Sequence, residues 1–402
     1  MSRVDPSAVR VLQVTIGDGN FGGVANFLYS FYSQMDHARV HFDFLYCGEN
    51  SLNSKMNTSV LQDSTVTVLH ALKKNNNGIH EYLSLVKMLR RYLTENQYDI
   101  IHINSSNLFL NVCVLKIAHK KSVCIPHSHN TKSPIKYDGA MKRILKELIR
   151  RPCQHYLLRH TKYLFACGKQ AGIYLYGDQV VGFPRFRVIH NAIDLSKYAF
   201  NKDVREKLRR GYEEHKLIFG AVGRLSDQKN PLFLIDIFAE IHKKNANTVL
   251  WIAGDGELRD AVQERIRRAG LEDCVCLLGV CNNIPDIMQA MDALLLPSLF
   301  EGLAFVTIEA QAAGLPVFAS QTITEECAIT DMMHFISLEK TAKQWANEIL
   351  ALMPESLSRR DTTAELKRAG YELKSAAHDL EQIYLSIAKE CDDTQKDKKH
   401  LM

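Results

Sequence analysis

The feature that most constrains this chain is an alternation that runs through it twice. Short apolar, β-branched runs are separated by amphipathic runs of ten or more residues. In the first half the short runs are VRVLQVTI (9–16), VHFDFLYC (40–47), TVTVL (65–69), DIIHIN (99–104), SVCIPHS (122–128) and KYLFACG (162–168). Between most of them lie helix-period stretches at 23–35, 80–93, 108–119 and 142–151. Runs of that length and composition fit buried strands, and the longer stretches fit helices. The pattern specifies an α/β fold: a parallel sheet whose crossover helices cover both faces.

The alternation restarts after RFRVIHNAID (185–194). It continues through LIFGAVG (217–223), PLFLIDIFAEIHKK (231–244), NTVLWIAG (247–254), ELRDAVQERIRRAG (257–270), VCLLG (275–279), IPDIMQAM (284–291), ALLLPS (293–298), VTIEAQAAG (306–314) and PVFAS (316–320). A length of 402 residues accommodates two such domains. The expected division is 1–190 and 191–376, with the boundary near 185–200. Residues 201–216 form a polar helix candidate. Strand signals stop after about 335. An amphipathic helix is expected at 377–390, followed by a polar tail, DDTQKDKKHLM, expected to fray.

Several classes are set aside early. No apolar run reaches the roughly 18–20 residues that span a bilayer. The opening MSRVDPSAVRVLQVTI has no signal-peptide core and reads as a first strand, so a cytoplasmic home is expected. The ten cysteines include no CxxC pair, and Cys274-x-Cys276 has the wrong spacing for zinc; they read as reduced, mostly buried thiols. Residues 1–190 carry 24 Lys+Arg against 12 Asp+Glu, a balance of +12, whereas 191–402 carry 26 against 33, a balance of −7. The basic half suits an anionic partner such as a membrane surface or phosphorylated lipid, or else is simply a solvated face. Nucleic acid is not expected, because no recognised module is present.

In tandem doubly wound units, ligands bind outside the carboxyl ends of strands, on loops that open helices. Five such loops stand out. IGDGNFGGVANFL (16–28) places Gly22 and Gly23 at a helix start, where backbone approaches a ligand closely, but it is not a GxGxxG fingerprint. IPHSHN (125–130) carries His127 and His129 at a strand end, suited to a sugar hydroxyl or a phosphate, or to plain surface capping. GAVGRLSDQKN (220–230) puts Arg224 and Lys229 on one strand–helix loop, suited to a diphosphate, without Walker A spacing. Turn chemistry explains GDG at 254–256 without a ligand.

The fifth loop, PSLFEGLAFVTIEAQAAG (297–314), carries Glu301 at the turn and Glu309 inside a core-like helix. Helix-dipole preference accounts for Glu301. It accounts poorly for Glu309, since a buried carboxylate needs a partner such as the two hydroxyls of a vicinal diol.

Taken in order, Gly22-Gly23, GRLSDQKN, GDGELRD, LLGVCNNIPDIM and above all E-x7-E from Glu301 to Glu309 with AAGLPVFAS after it resemble the family 4 retaining glycosyltransferases of the GT-B fold. The resemblance spans nearly the whole chain. It implies two facing Rossmann-like domains, with a nucleotide-sugar, a UDP-sugar by preference, held mainly by the second. Arg224 and Lys229 would neutralise the donor diphosphate. Glu309 would accept the ribose hydroxyls. Glu301, with the Leu303 and Ala304 amides, would hold sugar and phosphate. Val280, in the 279–281 loop, would contact the base through backbone. Gly22 and Gly23 would close over the diphosphate. His127 would lie near the anomeric carbon, with His129 competing for that place.

Two departures stand out: EGLA puts Ala304 where the family has glycine, and Asn191-Ala192 stands where Asn-Gly is common. His129, Lys142 and Arg143 are acceptor-side candidates. The acceptor implied is a glycan or a polyprenyl-diphosphate-linked sugar in capsule, exopolysaccharide or O-antigen assembly, met at the inner membrane face. The residue set agrees with phosphate-centred, same-face transfer without a metal or other cofactor. A nucleotide-sugar binder without transfer and a GT-B-like epimerase are the alternatives.

Overall fold

The computed structural model describes residues 7–16, 23–47, 64–69, 78–130, 140–211, 216–301, 303–353 and 359–400. The chain divides into two units, Met1–Ala192 with Leu373–Met402, and Ile193–Glu372.

The strands of the first unit are β1 (Val9–Ile16), β2 (Val40–Cys47), β3 (Val66–Leu69), β4 (Ile100–Asn104), β5 (Val123–Ser128), β6 (Leu164–Ala166) and β7 (Phe186–Val188). Its helices are α1 (Gly23–Tyr32), α2 (Gly78–Glu95), α3 (Leu108–Ala118), α4 (Ala140–His160) and α5 (Lys169–Tyr176). The sheet is parallel, in the order β3-β2-β1-β4-β5-β6-β7. β2 and β4 are buried at every position, as a sheet covered on both faces requires.

One face of this sheet is unusually polar. Gln13 pairs in register with His102, Thr15 with Asn104, and Asn104 with His127. All five are buried.

The second unit contains α6 (Leu195–Tyr198), α7 (Lys202–Leu208), β8 (Leu217–Val222), α8 (Pro231–Lys244), β9 (Thr248–Ala253), α9 (Arg259–Ala269) and β10 (Val275–Gly279). These are followed by α10 (Ile284–Ala290), β11 (Ala293–Leu296), α11 (Phe305–Ala312), β12 (Val317–Ser320), β13 (Met333–Ile336), α12 (Ala342–Leu352) and α13 (Thr363–Arg368). The sheet is again parallel, in the order β10-β9-β8-β11-β12-β13. Phe219, Leu250, Leu295, Phe318 and Trp345 share its core.

The last helix, α14 (Leu373–His400), belongs to the first unit. Glu381 ties it to the turn after α1, accepting from the Asp36 amide at 3.0 Å and from Arg39 Nη1 at 2.9 Å. Tyr163 donates to Glu390 Oε2 at 2.7 Å.

Four elements differ from the expectation. α4 continues through Pro152 to His160, because Leu157 and Leu158 are buried in the core and outweigh the amide bond that proline lacks. β7 is only three residues long. β13 exists after all: MHFI is too short for a period, but His334 stacks on Phe318 of the neighbouring strand at 5.2 Å between ring centroids. The C-terminal helix starts at Leu373 and runs on to His400, through most of the tail expected to fray.

Candidate active site

In the second sheet β8 has β9 on one side and β11 on the other. The chain order reverses there, so the loops leaving β8 and β11 diverge and open a crevice at the strands' carboxyl ends. Those loops are GRLSDQKN and PSLFEGLA.

The first loop is braced from below. Gly223 donates its amide to the Ala253 carbonyl at 2.9 Å, and Leu225 to the Asp255 carbonyl at 3.0 Å. Gly254 has a φ of +145°, and a Cβ there would stand 1.9 Å from the Gly223 carbonyl oxygen. Only glycine fits, which assigns the GDG turn to supporting the cation-bearing loop. A single helical turn, Asp227–Lys229, ends at Asn230 in the left-handed region (φ 52°), and α8 begins at Pro231. That stop sets where Lys229 points.

Lys229 Nζ lies 2.7 Å from Glu301 Oε1, with side-chain exposures of 21% and 8%. Gln228 Nε2 donates to Glu301 Oε2 at 3.2 Å and to the Phe300 carbonyl at 3.1 Å. The Leu299 amide donates back to the Gln228 carbonyl at 2.8 Å, and Asn230 Nδ2 to the Pro297 carbonyl at 3.2 Å. The two crevice loops are thus knitted together, with a largely enclosed ion pair at the join.

Arg224 is different. Its side chain is 73% exposed and meets Glu257 across 3.1 Å, a surface pair of little energetic weight.

Leu303 and Ala304 are buried, and Ala304 caps the start of α11 with an extended backbone (φ −73°, ψ 106°). Glu309 lies one turn into α11 and accepts from the Tyr198 hydroxyl at 2.7 Å. It is closely surrounded by protein yet keeps part of its surface open, as a side chain on the floor of a depression does. Burial raises its carboxyl above the usual range; the Tyr198 hydrogen bond and the Lys229 charge offset only part of this. Val280 follows Gly279 at the end of β10 and is largely exposed.

In the first unit the switch point falls between β1 and β4. Beside it lie His127 and His129, with ring centroids 4.0 Å apart. His127 has no exposed surface. It packs against Phe27 and Phe165, and His102 Nε2 approaches its Nδ1 at 3.0 Å. His129 lies nearer the surface and meets Asn104 Oδ1 at 3.1 Å. Burial depresses all three rings: His102 to about 3 with help from the His129 charge, His129 to about 3, and His127 well below the ordinary value. At neutral pH the cluster is uncharged.

Of the sequence-derived candidates, the structure brings Lys229, Glu301, Leu303, Ala304 and Glu309 together around one crevice, with Arg224 on the same loop. His127 and His129 share one cluster in the other unit. Gly23 opens α1 and is exposed. Gly22 lies outside the described residues, as do the side chains of Lys142 and Arg143 on α4. Sequence reasoning missed Tyr198, Gln228, His102, Gln13, Asn104 and Tyr384. Gln228 alone carried a signal, lying within the motif that supplied Lys229. Among the described residues no group of three or more His, Cys, Asp or Glu side chains is placed to hold a metal ion. None of their helices is long and apolar enough to cross a membrane.

The family pattern described as "Glycosyltransferase Family 4" matches residues 21–197, and that described as "Glycosyl transferases group 1" matches 216–355. The putative glycosyltransferase EpsF of Bacillus subtilis (strain 168) is 30% identical over 390 residues, covering 95% of this chain and 97% of that protein. The chain is a family 4 glycosyltransferase. A second relative is the UDP-Gal:alpha-D-GlcNAc-diphosphoundecaprenol alpha-1,3-galactosyltransferase of Escherichia coli. It is 31% identical over 284 residues, 68% of this chain and 70% of that protein. Among solved structures, Anabaena Alr3699/HepE in complex with UDP-glucose superposes with a TM-score of 0.64 at 20% identity, over 96% of this chain and 99% of that one. That likeness is one of fold, and the fold of this glycosyltransferase is GT-B.

Proposed function

We propose that this glycosyltransferase moves a sugar from a UDP-sugar to a lipid-diphosphate-linked or glycan acceptor in polysaccharide assembly, retaining the anomeric configuration and requiring no metal. The observation that carries the donor reading is the Lys229–Glu301 pair at the switch point of the second sheet. A cation already held by a carboxylate, beside the first amides of α11, is preorganised for a diphosphate. Lys229, with Arg224 swinging from Glu257, would take the charge that develops on the departing nucleoside diphosphate. Glu301 and the Leu303 and Ala304 amides would hold the transferred sugar. Glu309, kept in place by Tyr198, would accept the two ribose hydroxyls, and Val280 would flank the base through its backbone. His127 would serve the transferred sugar, with His129 beside it. Same-face transfer would pass the acceptor's proton to a departing phosphate oxygen.

Two likenesses support the base and the acceptor class. The Escherichia coli relative is named for UDP-Gal and a diphosphoundecaprenol-linked sugar, and the HepE complex holds UDP-glucose. On α4, Leu148 and Ile149 are exposed next to Arg150 and the exposed Arg151, a surface suited to an anionic bilayer where such an acceptor resides. Peripheral association there belongs to the proposal, and sedimentation with anionic against neutral vesicles tests it.

The decisive experiment combines a thermal-shift screen over UDP-, GDP- and ADP-sugars with a transfer assay on a polyprenyl-diphosphate sugar, with and without EDTA. UDP-sugars alone should raise the melting temperature. Turnover should survive chelation, and the product should keep the donor's anomeric configuration. Interconversion of a single UDP-sugar without acceptor would indicate an epimerase instead. Donor binding without transfer would indicate a binding protein.

A further inference from the structure

Gln13, His102, Asn104, His127 and His129 form one buried cluster, and Tyr384 of α14 reaches into it to bond Gln13 and His102. Their hydrogen bonds run in single file, and one acceptor fixes the direction. Asn104 Nδ2 lies 3.4 Å from the His102 carbonyl oxygen, which can only accept, so the nitrogen end of that amide is determined. Asn104 Nδ2 then donates to Gln13 Oε1 at 2.7 Å. Gln13 is left to donate through Nε2 to the Tyr384 oxygen at 3.3 Å. With that oxygen accepting, the Tyr384 proton goes to His102 Nδ1 at 2.5 Å. A neutral His102 must then carry its hydrogen on Nε2 and donate it to His127 Nδ1 at 3.0 Å. His127 in turn carries its hydrogen on Nε2. Among the described residues that atom has no hydrogen-bond partner, although the ring is completely buried. At the opposite end Asn104 Oδ1 accepts from His129 Nε2 at 3.1 Å, leaving His129 Nδ1 bare.

We propose that Tyr384, carried by the C-terminal helix, is a positioning residue that acts through His102 to hold His127 as a neutral Nε2–H donor aimed at an oxygen of the transferred sugar. Two adjoining neutral imidazoles can bond in either direction at nearly equal energy, so an outside donor decides which nitrogen bears the hydrogen. In the reverse direction His127 Nε2 would carry a lone pair, able only to accept from a sugar hydroxyl and unable to donate to a sugar oxygen. Burial keeps the rings neutral, so none acts as a charged group. The helix that returns to the first unit is thereby part of the catalytic apparatus as well as of the fold. Only the final link, to sugar, rests on the transfer reading; the tautomers do not.

The test is a long-range ¹H–¹⁵N imidazole spectrum of the full chain labelled at histidine, assigned with single histidine variants. Wild type should show His102, His127 and His129 as Nε2–H tautomers. An Nδ1–H form at His127 would mean that the file runs the other way and would overturn the proposal. That spectrum needs no variant, so the outcome stands even if Tyr384→Phe folds poorly. In Tyr384→Phe, His102 and His127 should populate the Nδ1–H form. The kcat should fall by about tenfold or more, as for weakening one preorganised transition-state donor, with little change in donor KM. Tyr163→Phe removes another tyrosine hydrogen bond to the same helix, at Glu390, and should change neither tautomers nor kcat. Wild-type tautomers in Tyr384→Phe, whatever its turnover, would sink the positioning role. Correct tautomers in a wild-type protein that transfers no sugar would leave the positioning intact and remove the proposed function.

Discussion

Replacing Glu301 by glutamine isolates what the ion pair at the switch point does. The side chain keeps its shape and can still meet Gln228, but Lys229 loses its counter-charge. Coulomb's law at 2.7 Å with an effective dielectric near 20 gives roughly 6 kcal/mol of gross attraction. The desolvation of both groups offsets most of it. Exposed pairs yield up to about 1 kcal/mol. Breaking a fully buried pair costs about 3–5 kcal/mol. With Lys229 21% exposed and Glu301 8%, the expected loss lies between, at about 2 kcal/mol. For a unit the size of Ile193–Glu372 that corresponds to a drop of roughly 4–8 °C in its melting transition.

UDP should have the opposite sign. It carries the diphosphate but no sugar, so it reads the cation site apart from Glu301's role toward the sugar. If Lys229 is the diphosphate cation, removing its carboxylate partner should tighten UDP. Recovering half of the lost pair energy corresponds to roughly fivefold in Kd. Transfer should fall all the same, by about 100-fold, because the group proposed to hold the sugar in the transition state is gone. Titration calorimetry with UDP at low and moderate salt, beside thermal melts, reads both quantities. A variant that loses stability while binding UDP equally or more weakly would refute the assignment of Lys229 to the diphosphate.

Arg224→Ala should lower turnover by about 100-fold or more while changing stability by less than about 0.5 kcal/mol, because the side chain is exposed and makes a surface ion pair with Glu257; wild-type turnover would exclude it from the leaving-group site. Tyr198→Phe removes a hydrogen bond that favours the charged form of Glu309, so the carboxyl should rise further. UDP affinity should then weaken by about tenfold, and more steeply as pH falls from 8 to 6, since the ribose hydroxyls need an anionic acceptor; a pH-independent loss in calorimetry would contradict this. The first unit should be acid-labile. His102, His127 and His129 are depressed in the fold, so the unfolded chain takes up protons as pH drops below about 6.5 while the folded chain does not. Stability contributed by the neutral rings is therefore full above that pH and is lost toward pH 3, by about 1.4 kcal/mol per pH unit per histidine. Melts followed from pH 7 to 4.5 should show the slope flatten in His102→Asn.

What the sequence made legible was local. Each crevice loop lies within one strand–turn–helix stretch, so Lys229 and Glu301 could be marked from GRLSDQKN and FEGLA without knowing which strands adjoin. Their meeting at 2.7 Å depends on β8 lying beside β11, a fact of sheet order. Tyr198 was invisible for the same reason: it stands 111 positions from Glu309, in a four-residue helix with no period to read. Tyr384 lies 282 positions from His102 and looks like one more apolar position of an amphipathic helix. His102 sits inside DIIHIN, where a polar residue in a buried strand gives no hint that register sets it opposite Gln13. The helix through Pro152 and the strand at Met333–Ile336 were missed because burial decided them against local propensity.

The two sheets use the same place differently. Each places a group of enclosed polar side chains beside the point where strand order reverses. In the second unit these are ions, Lys229 and Glu301, with Glu309 near enough to feel the Lys229 charge. In the first they are neutral groups whose direction, rather than charge, carries information. That division suits a reaction in which charge moves onto phosphate while the sugar stays uncharged in its ground state. Fixed cations are most effective where charge accumulates, and a histidinium close to an oxocarbenium-like centre would oppose the positive charge forming there. If His127 serves the sugar as proposed, keeping it neutral by burial removes that opposition, and fixing its tautomer recovers a donor that neutrality alone would leave undirected. On that proposal the polar cluster that Tyr384 joins is a requirement of the chemistry rather than a defect of the core.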